Sequence, residues 1–178
     1  MKIVVASDLH GSMFWTRKLL EKIEKINPEM IILLGDLYYH GPRNPLTEEY
    51  NPQQVCECLN KIKNKLVVLK GNCDAEVDEM ISEFSFEPSV SMQVGKNNIF
   101  FSHGHKYNID NLPEGKFDVM FYGHFHTCFI KQENGKVFVN PGSISLPKGG
   151  TVNSYAVLSD EEVTIFDFDD NIIESLKI

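Results

Sequence analysis

The sequence predicts an α/β fold of two packed sheets with helices outside, and three features point there. The first half of the chain alternates short apolar runs with helical patterns, as strand–helix–strand units do. After about residue 88 the pattern becomes a succession of short strands separated by turn residues. No linker, internal repeat or low-complexity stretch divides the 178 residues, a length that fits one domain with a sizeable core.

Residues 2–7 form a β-branched apolar run of the kind a parallel strand shows when both its faces are buried. A helix follows over 13–26, because Leu19, Leu20, Ile23 and Ile26 recur at helical spacing; Ser12 is placed to cap it and Pro28 to end it. Residues 30–34 are the second strand. After a loop rich in Gly and Pro, Pro52 opens a second helix that Val55, Leu59 and Ile62 continue. Residues 66–69 are the third strand, and a short helix is expected over 76–84. Two such units in succession predict right-handed crossovers and a mostly parallel sheet. Residues 90–94 and 99–102 flank Gly95-Lys96-Asn97-Asn98 as a hairpin. Further strands are expected over 119–122, 129–132, 137–139, 155–158, 163–168 and 172–176, with Glu133-Asn134-Gly135-Lys136 a strong turn.

Composition narrows the function classes. The chain is 42% hydrophobic and 24% charged, as a globular domain is. No apolar run approaches the roughly 18 residues of a membrane span. The N-terminus turns polar at Ser7-Asp8, too soon for a signal peptide, which places the protein in the cytoplasm. A net charge of −8 argues against binding nucleic-acid polymers through a basic surface. Cys56, Cys58, Cys73 and Cys128 show no paired zinc-finger spacing and read as reduced thiols.

The chemistry lies just past the strands, where ligands bind in open α/β sheets. The first strand runs into Asp8-Leu9-His10-Gly11, the second into Gly35-Asp36 and the third into Gly71-Asn72-Cys73-Asp74. Residues 99–102 run into His103-Gly104-His105, and 119–122 into Gly123-His124-Phe125-His126. Five of the six histidines lie in these loops. A carboxylate directly after a buried apolar run is costly to desolvate without a cation or strong hydrogen bonds. Imidazole and carboxylate together make a mixed nitrogen–oxygen site for transition metals. In Asp8-x-His10 and His124-x-His126 the spacing lets both side chains of an extended segment point the same way.

Asp8-x-His10, Gly35-Asp36, Gly71-Asn72-x-Asp74, His103 and Gly123-His124-x-His126 resemble the signature of the calcineurin-like metallophosphoesterases. The short length and the Gly71-Asn72-Cys73-Asp74 form are similar to the small YfcE-type phosphodiesterases. The resemblance runs from residue 1 to about 160 and includes Asn140-Pro141-Gly142-Ser143. It implies a four-layer α-β-β-α sandwich, two mixed sheets flanked by helices, carrying a dinuclear centre. It implies that Asp8, His10 and His126 hold one ion, that Asn72, His103 and His124 hold the other, and that Asp36 bridges them. Asp36, Asn72, Cys73 and His103 become the candidate catalytic residues. The cofactors implied are two divalent ions, manganese first, with iron, zinc or nickel as alternatives; a His-rich shell argues against calcium. Two such ions bring four positive charges, Asp8 and Asp36 remove two, and a metal-bridging hydroxide removes one. About one positive charge is left to receive a small, monoanionic phosphodiester. The same resemblance implies self-association as a dimer or tetramer. A non-catalytic, protein-binding scaffold is the alternative, as in the retromer subunit of this fold; that subunit lacks part of the histidine set, which is complete here.

One departure matters. Cys73 stands where the wider superfamily has a histidine thought to protonate the leaving group, and a thiol is a weak donor. Cys73 then either biases the enzyme toward diesters with good leaving groups or simply packs. His40 and Arg43 are read as phosphate contacts or as a solvated loop, and Arg suits the first task. Asp74 is expected to orient a ligand histidine. His105 lies beside the ligands or on the surface. Phe14 and Trp15 pack the first helix, Cys56, Cys58 and Cys128 are packing residues, and the acidic stretch 166–170 ends a hairpin.

Overall fold

Runs of Ile, Val and Leu build the strands at the centre. The computed structural model describes residues 1–178. Its first strands are β1 (Lys2–Ala6), β2 (Met30–Leu33), β3 (Leu66–Leu69) and β4 (Phe86–Glu87). They are followed by β5 (Val90–Val94), β6 (Asn97–Ser102), β7 (Val119–Tyr122), β8 (Cys128–Glu133) and β9 (Lys136–Pro141). The chain closes with β10 (Ser154–Ser159), β11 (Glu162–Asp167) and β12 (Ile172–Lys177). A seven-stranded sheet has the order β12-β11-β10-β1-β2-β3-β4, and a five-stranded sheet the order β5-β6-β7-β9-β8. Within the first, β1 to β4 run parallel and β10 to β12 form an antiparallel meander. Within the second, β6, β7 and β9 run parallel, with β5 and β8 antiparallel at the edges. Both sheets are mixed, as the fold class requires.

Helix α1 (Met13–Ile26) starts where the Ser12 hydroxyl accepts the Trp15 N–H, and it ends at Asn27, whose left-handed φ of 47° closes the last turn. Helix α2 (Pro52–Lys61) has Pro52 in its first turn, where a missing N–H costs nothing, and Asn51 as its cap. Helix α3 is Glu76–Ile81.

Alternation along β1 sorts the core. Ile3 and Val5 face the second sheet, joining Ile32, Phe101, Val119, Phe121 and Val139 between the two. Val4 and Ala6 face the helices and meet Leu19, Ile23, Val55 and Leu59. Each Val, Leu, Ile or Phe side chain, fully buried, stabilises by roughly 1.5–3 kcal/mol, so a continuous apolar run is what both faces demand. The helices lie over the seven-stranded sheet only. Over the outer face of the other sheet, Phe100, Met120, Tyr122 and Phe138 are covered by Phe117 and Ile109 from the segment between β6 and β7. That segment, interrupted by Gly104, Pro113 and Gly115, forms a loop rather than a helix.

One helical expectation is shortened. The pattern over 76–84 stops at Ile81, with Ser82 already extended. Residues 86–87 instead form β4, because Phe86 gains burial beside Val68 in the helix-side core. The hairpin loop is also tighter than expected, a two-residue turn at Gly95-Lys96 between Val94 and Asn97. The five loops singled out above leave β1, β2, β3, β6 and β7 at their carboxyl ends, so the parallel directions bring them to one edge of the molecule.

Candidate metal centre

At that edge Asp8, His10, Asp36, His103 and His126 converge, all buried. His126 Nε2 lies 3.3 Å and His10 Nε2 3.6 Å from Asp8 Oδ1. Asp36 Oδ2 lies 3.8 Å from His10 Nε2 and 3.4 Å from His103 Nε2, standing between the two histidines. Asn72 joins through its Oδ1, 3.1 Å from His103 Nε2. The His124 ring packs 5.2 Å, centroid to centroid, from that of His103. Cys73 Sγ is within 4.8 Å of ligand atoms of His10 and Asp36.

The backbone is bent to achieve this. Asp8, His10, Asp36, His124 and His126 all adopt positive φ, between 47° and 68°. Such conformations are uncommon outside glycine and persist where the surroundings hold them, often at functional sites. Two glycines permit the close approach. A Cβ at Gly71 would sit 2.1 Å from Asp36 Oδ1, and one at Gly123 1.9 Å from Ser7 Oγ.

Several braces hold the loops, and sequence reasoning identified few of them. The Ser143 and Ser145 hydroxyls both donate to the Asp8 carbonyl, at 2.8 and 2.9 Å. Asn140 Nδ2 donates to the Gly123 carbonyl at 2.9 Å, so the Asn140-Pro141-Gly142-Ser143 motif ties two ligand loops together. Asp74 does not orient a ligand histidine as expected. Its carboxylate accepts the backbone N–H groups of Asp36, Leu37 and Gly71, clamping one ligand loop to the next. Asp36 Oδ1 in turn accepts the Cys73 N–H at 2.8 Å. The sequence held no signal for the carbonyls that fix the rings, since any residue can supply one. His10, His103 and His126 place Nδ1 at 2.7–2.8 Å from the carbonyls of Tyr39, Leu34 and Leu146.

With Nδ1 committed as donor, each Nε2 points into the cluster, where it can bind a cation in place of a proton. His10 Nε2 and His126 Nε2 approach to 3.2 Å. Asp8 Oδ2 accepts the His124 N–H, but Asp8 Oδ1 is buried with no hydrogen-bond partner. A buried carboxylate oxygen facing convergent imidazole nitrogens fits a divalent cation. Three overlapping groups of Asp, His and Cys here have the reach to hold an ion. The electrostatics agree. Burial opposes the charge on His103, yet its bond to Asp36 and the charges of Asp8 and Asp36 raise it to about 9. Burial likewise opposes ionisation of Asp8, but His10 and His126 hold it well below the usual carboxylate range.

The cluster opens into a cleft of about 770 Å³, which Asn72, Cys73, His124 and His126 line. Arg43 lines it too, as anticipated, whereas His40 packs edge-on between Tyr39 and Tyr50. His105 is exposed, its ring 5.4 Å from that of His103, in a separate pocket. Lys148 and Phe125 also line the cleft, and sequence reasoning missed both. The Lys148 N–H donates to the His126 carbonyl at 2.9 Å, anchoring that loop. Trp15 packs on Phe168, while Cys56, Cys58 and Cys128 pack among apolar residues away from the cluster.

Comparison with known proteins agrees with this geometry. The calcineurin-like phosphoesterase superfamily domain matches residues 1–162. Over 176 residues, 97% of this chain and 95% of the relative, the sequence is 39% identical to phosphodiesterase YfcE of Escherichia coli K12. The probable metallophosphoesterase YsnB of Bacillus subtilis is 28% identical over 189 residues, which cover 99% of this chain and 97% of that one. The solved structure of the E. coli phosphoesterase YfcE matches with a TM-score of 0.96 at 38% identity, over 100% of both chains. Vps29 of Cryptosporidium parvum shares the fold at 18% identity, with a TM-score of 0.68 over 99% of this chain and 97% of that one. This chain belongs to the calcineurin-like phosphoesterase superfamily.

Proposed function

We propose that this protein is a metal-dependent phosphodiesterase acting on a small phosphodiester at a dinuclear centre. The observation that carries the reading is the unpartnered, buried Asp8 Oδ1 among imidazoles fixed through Nδ1 with Nε2 aimed inward. Asp8, His10 and His126 would hold one divalent ion, Asn72, His103 and His124 the other, and Asp36 would serve both. Manganese is the first choice, with iron, zinc and nickel next. Bound there, the ions supply hydroxide at neutral pH and positive charge for the phosphate. Hydrolysis would join a water-derived oxygen to phosphorus and break one ester P–O bond, with the departing alcohol oxygen taking its proton from solvent. Arg43 and Lys148 add positive charge along the cleft, enough for a small anion and too little for a nucleic-acid track. Four free cysteines suit a reducing compartment, and the cytoplasm is part of the proposal.

Cys73 sets the substrate range. Without metal, burial first and then the charge of Asp36 push its thiol up to about 12, and a thiol is a weak donor beside an imidazolium. General acid catalysis is worth roughly 10²–10⁴-fold, and its loss falls hardest on poor leaving groups. Diesters of acidic alcohols are therefore preferred over alkyl monoesters. The test is hydrolysis of an aryl phosphodiester by metal-stripped protein with manganese added back, beside the matching monoester and a Cys73→His variant. The expected result is metal-dependent diester cleavage, little monoester cleavage, and monoester activity gained in Cys73→His. No turnover of either ester with manganese, nickel or zinc would reassign the chain as a protein-binding scaffold.

A further inference from the structure

Beside the cleft lies a chamber of about 300 Å³, lined mainly by Tyr38, Tyr39, Tyr50, Pro52, Ala75 and Val77. Tyr39, Cys73 and Ala75 line both cavities, so the chamber borders the cleft. The chamber's walls are held in place. The His40 ring packs edge-on against Tyr39 at 4.7 Å and Tyr50 at 5.3 Å. The Tyr38 hydroxyl is paired with Ser82 Oγ at 2.7 Å, and the single acid, Asp78, accepts the Ala75 N–H at 2.8 Å. What the chamber offers a ligand is ring and aliphatic carbon. Tyr39 and Val77 remain 42% and 58% exposed, apolar surface left open beside a cluster of charge. The cleft itself is polar, with Arg43, Asn44 and Lys148 among the residues that line it. Small-molecule sites combine such apolar walls with a few placed polar groups.

Cys73 stands at the mouth, its Sγ within 4.8 Å of ligand atoms of His10 and Asp36. An ester group on a phosphorus held over the cluster is therefore within reach of Cys73 and of the chamber that it borders. We infer that the chamber takes the leaving alcohol of the diester, and that this alcohol carries a flat aromatic ring. The inference rests on the phosphodiesterase reading above. It agrees with the weak donor at the mouth, since an aryloxide departs without needing a proton from the protein.

The test compares methyl 2-naphthyl phosphate with methyl phenyl phosphate on manganese-loaded protein. The two alcohols have similar acidity, so the second ring changes apolar contact and little else. Wild type should favour the naphthyl ester about tenfold in kcat/KM, chiefly through KM, from the added apolar area. Val77→Asp, on the exposed rim, should bring the two esters to parity, and Val77→Leu should keep the preference. Metal-free wild type should also bind 2-naphthol, followed by its own fluorescence, more tightly than Val77→Asp does. Equal kcat/KM for both esters in the wild type, or a preference that survives Val77→Asp, would overturn the chamber assignment alone. Absence of metal-dependent cleavage of either ester would overturn the phosphodiesterase reading and the inference with it.

Discussion

Val5 lies between the sheets and Asp8 just past the end of the same strand, and neither exposes any surface. Val5 is buried among carbon, with Ile32, Phe101 and Phe121 in the same layer. Asp8 is buried against His10, His126 and an N–H from His124, with one oxygen unpartnered. The first kind of burial is favourable by itself. The second is unfavourable until a cation arrives. Backbone conformation divides along the same line: β1 pairs in unbroken register with β2 and β10, and the loop residues Asp8, His10, Asp36, His124 and His126 hold positive φ. The sheets supply the stability with which the edge holds a strained, charged cluster ready for metal.

The largest expected effect is at the edge. On the proposed function, Asp36→Asn should lower metal-dependent diester hydrolysis by at least ~10³-fold, because the carboxylate between His10 and His103 loses its charge. Bound metal, read by atomic absorption, should fall in parallel while the far-ultraviolet circular dichroism stays unchanged. Retention of a tenth of the activity would erase the contrast. Phe101→Ala strikes the other region, where Phe101 stacks on Phe121 at 5.2 Å. It should cost about 3–5 kcal/mol in urea unfolding, with metal affinity of the folded protein unchanged. Loss of metal affinity at unchanged stability would show that the layers are not separable.

The smallest effect sharpens the electrostatics. In the metal-free protein His103 is raised to about 9, burial being outweighed by Asp36 and Asp8. The folded state then holds a proton that the unfolded state releases near the ordinary histidine value. That contribution to metal-free stability is complete below the ordinary value and declines as pH rises toward 9. Metal must displace the same proton, so apparent affinity should climb roughly tenfold per pH unit up to about 9 and then level. Calorimetric titration in buffers of different ionisation enthalpy reads the released proton. A pH-independent affinity would remove His103 from the ligand set.

The sequence already carried most of the strands, the two long helices and the ionisable side chains that gather at the edge. Residues 66–69 and 119–122 were readable because both faces of a buried strand are apolar, and Ser12 because a hydroxyl before a periodic run caps a helix. The ligand residues stood out because ionisable groups follow directly on those runs. Phe86–Glu87 was not readable as a strand: two residues carry no period, and only Val68 beside them makes the pairing worthwhile. The role of Asp74 was hidden because its partners are backbone N–H groups from loops up to 38 positions away.

By itself, then, the amino-acid order determined the alternation of apolar runs, the caps and turns, and the set of ligand-type side chains, all of them matters of local chemistry. Tertiary structure alone decided which carbonyls lock the imidazoles, that Ser143 and Ser145 brace Asp8, and that Lys148 reaches the cleft. It also decided that an apolar chamber opens beside Cys73. These depend on contacts between residues far apart in the chain, and a carbonyl or a cavity wall leaves no mark in the sequence that supplies it.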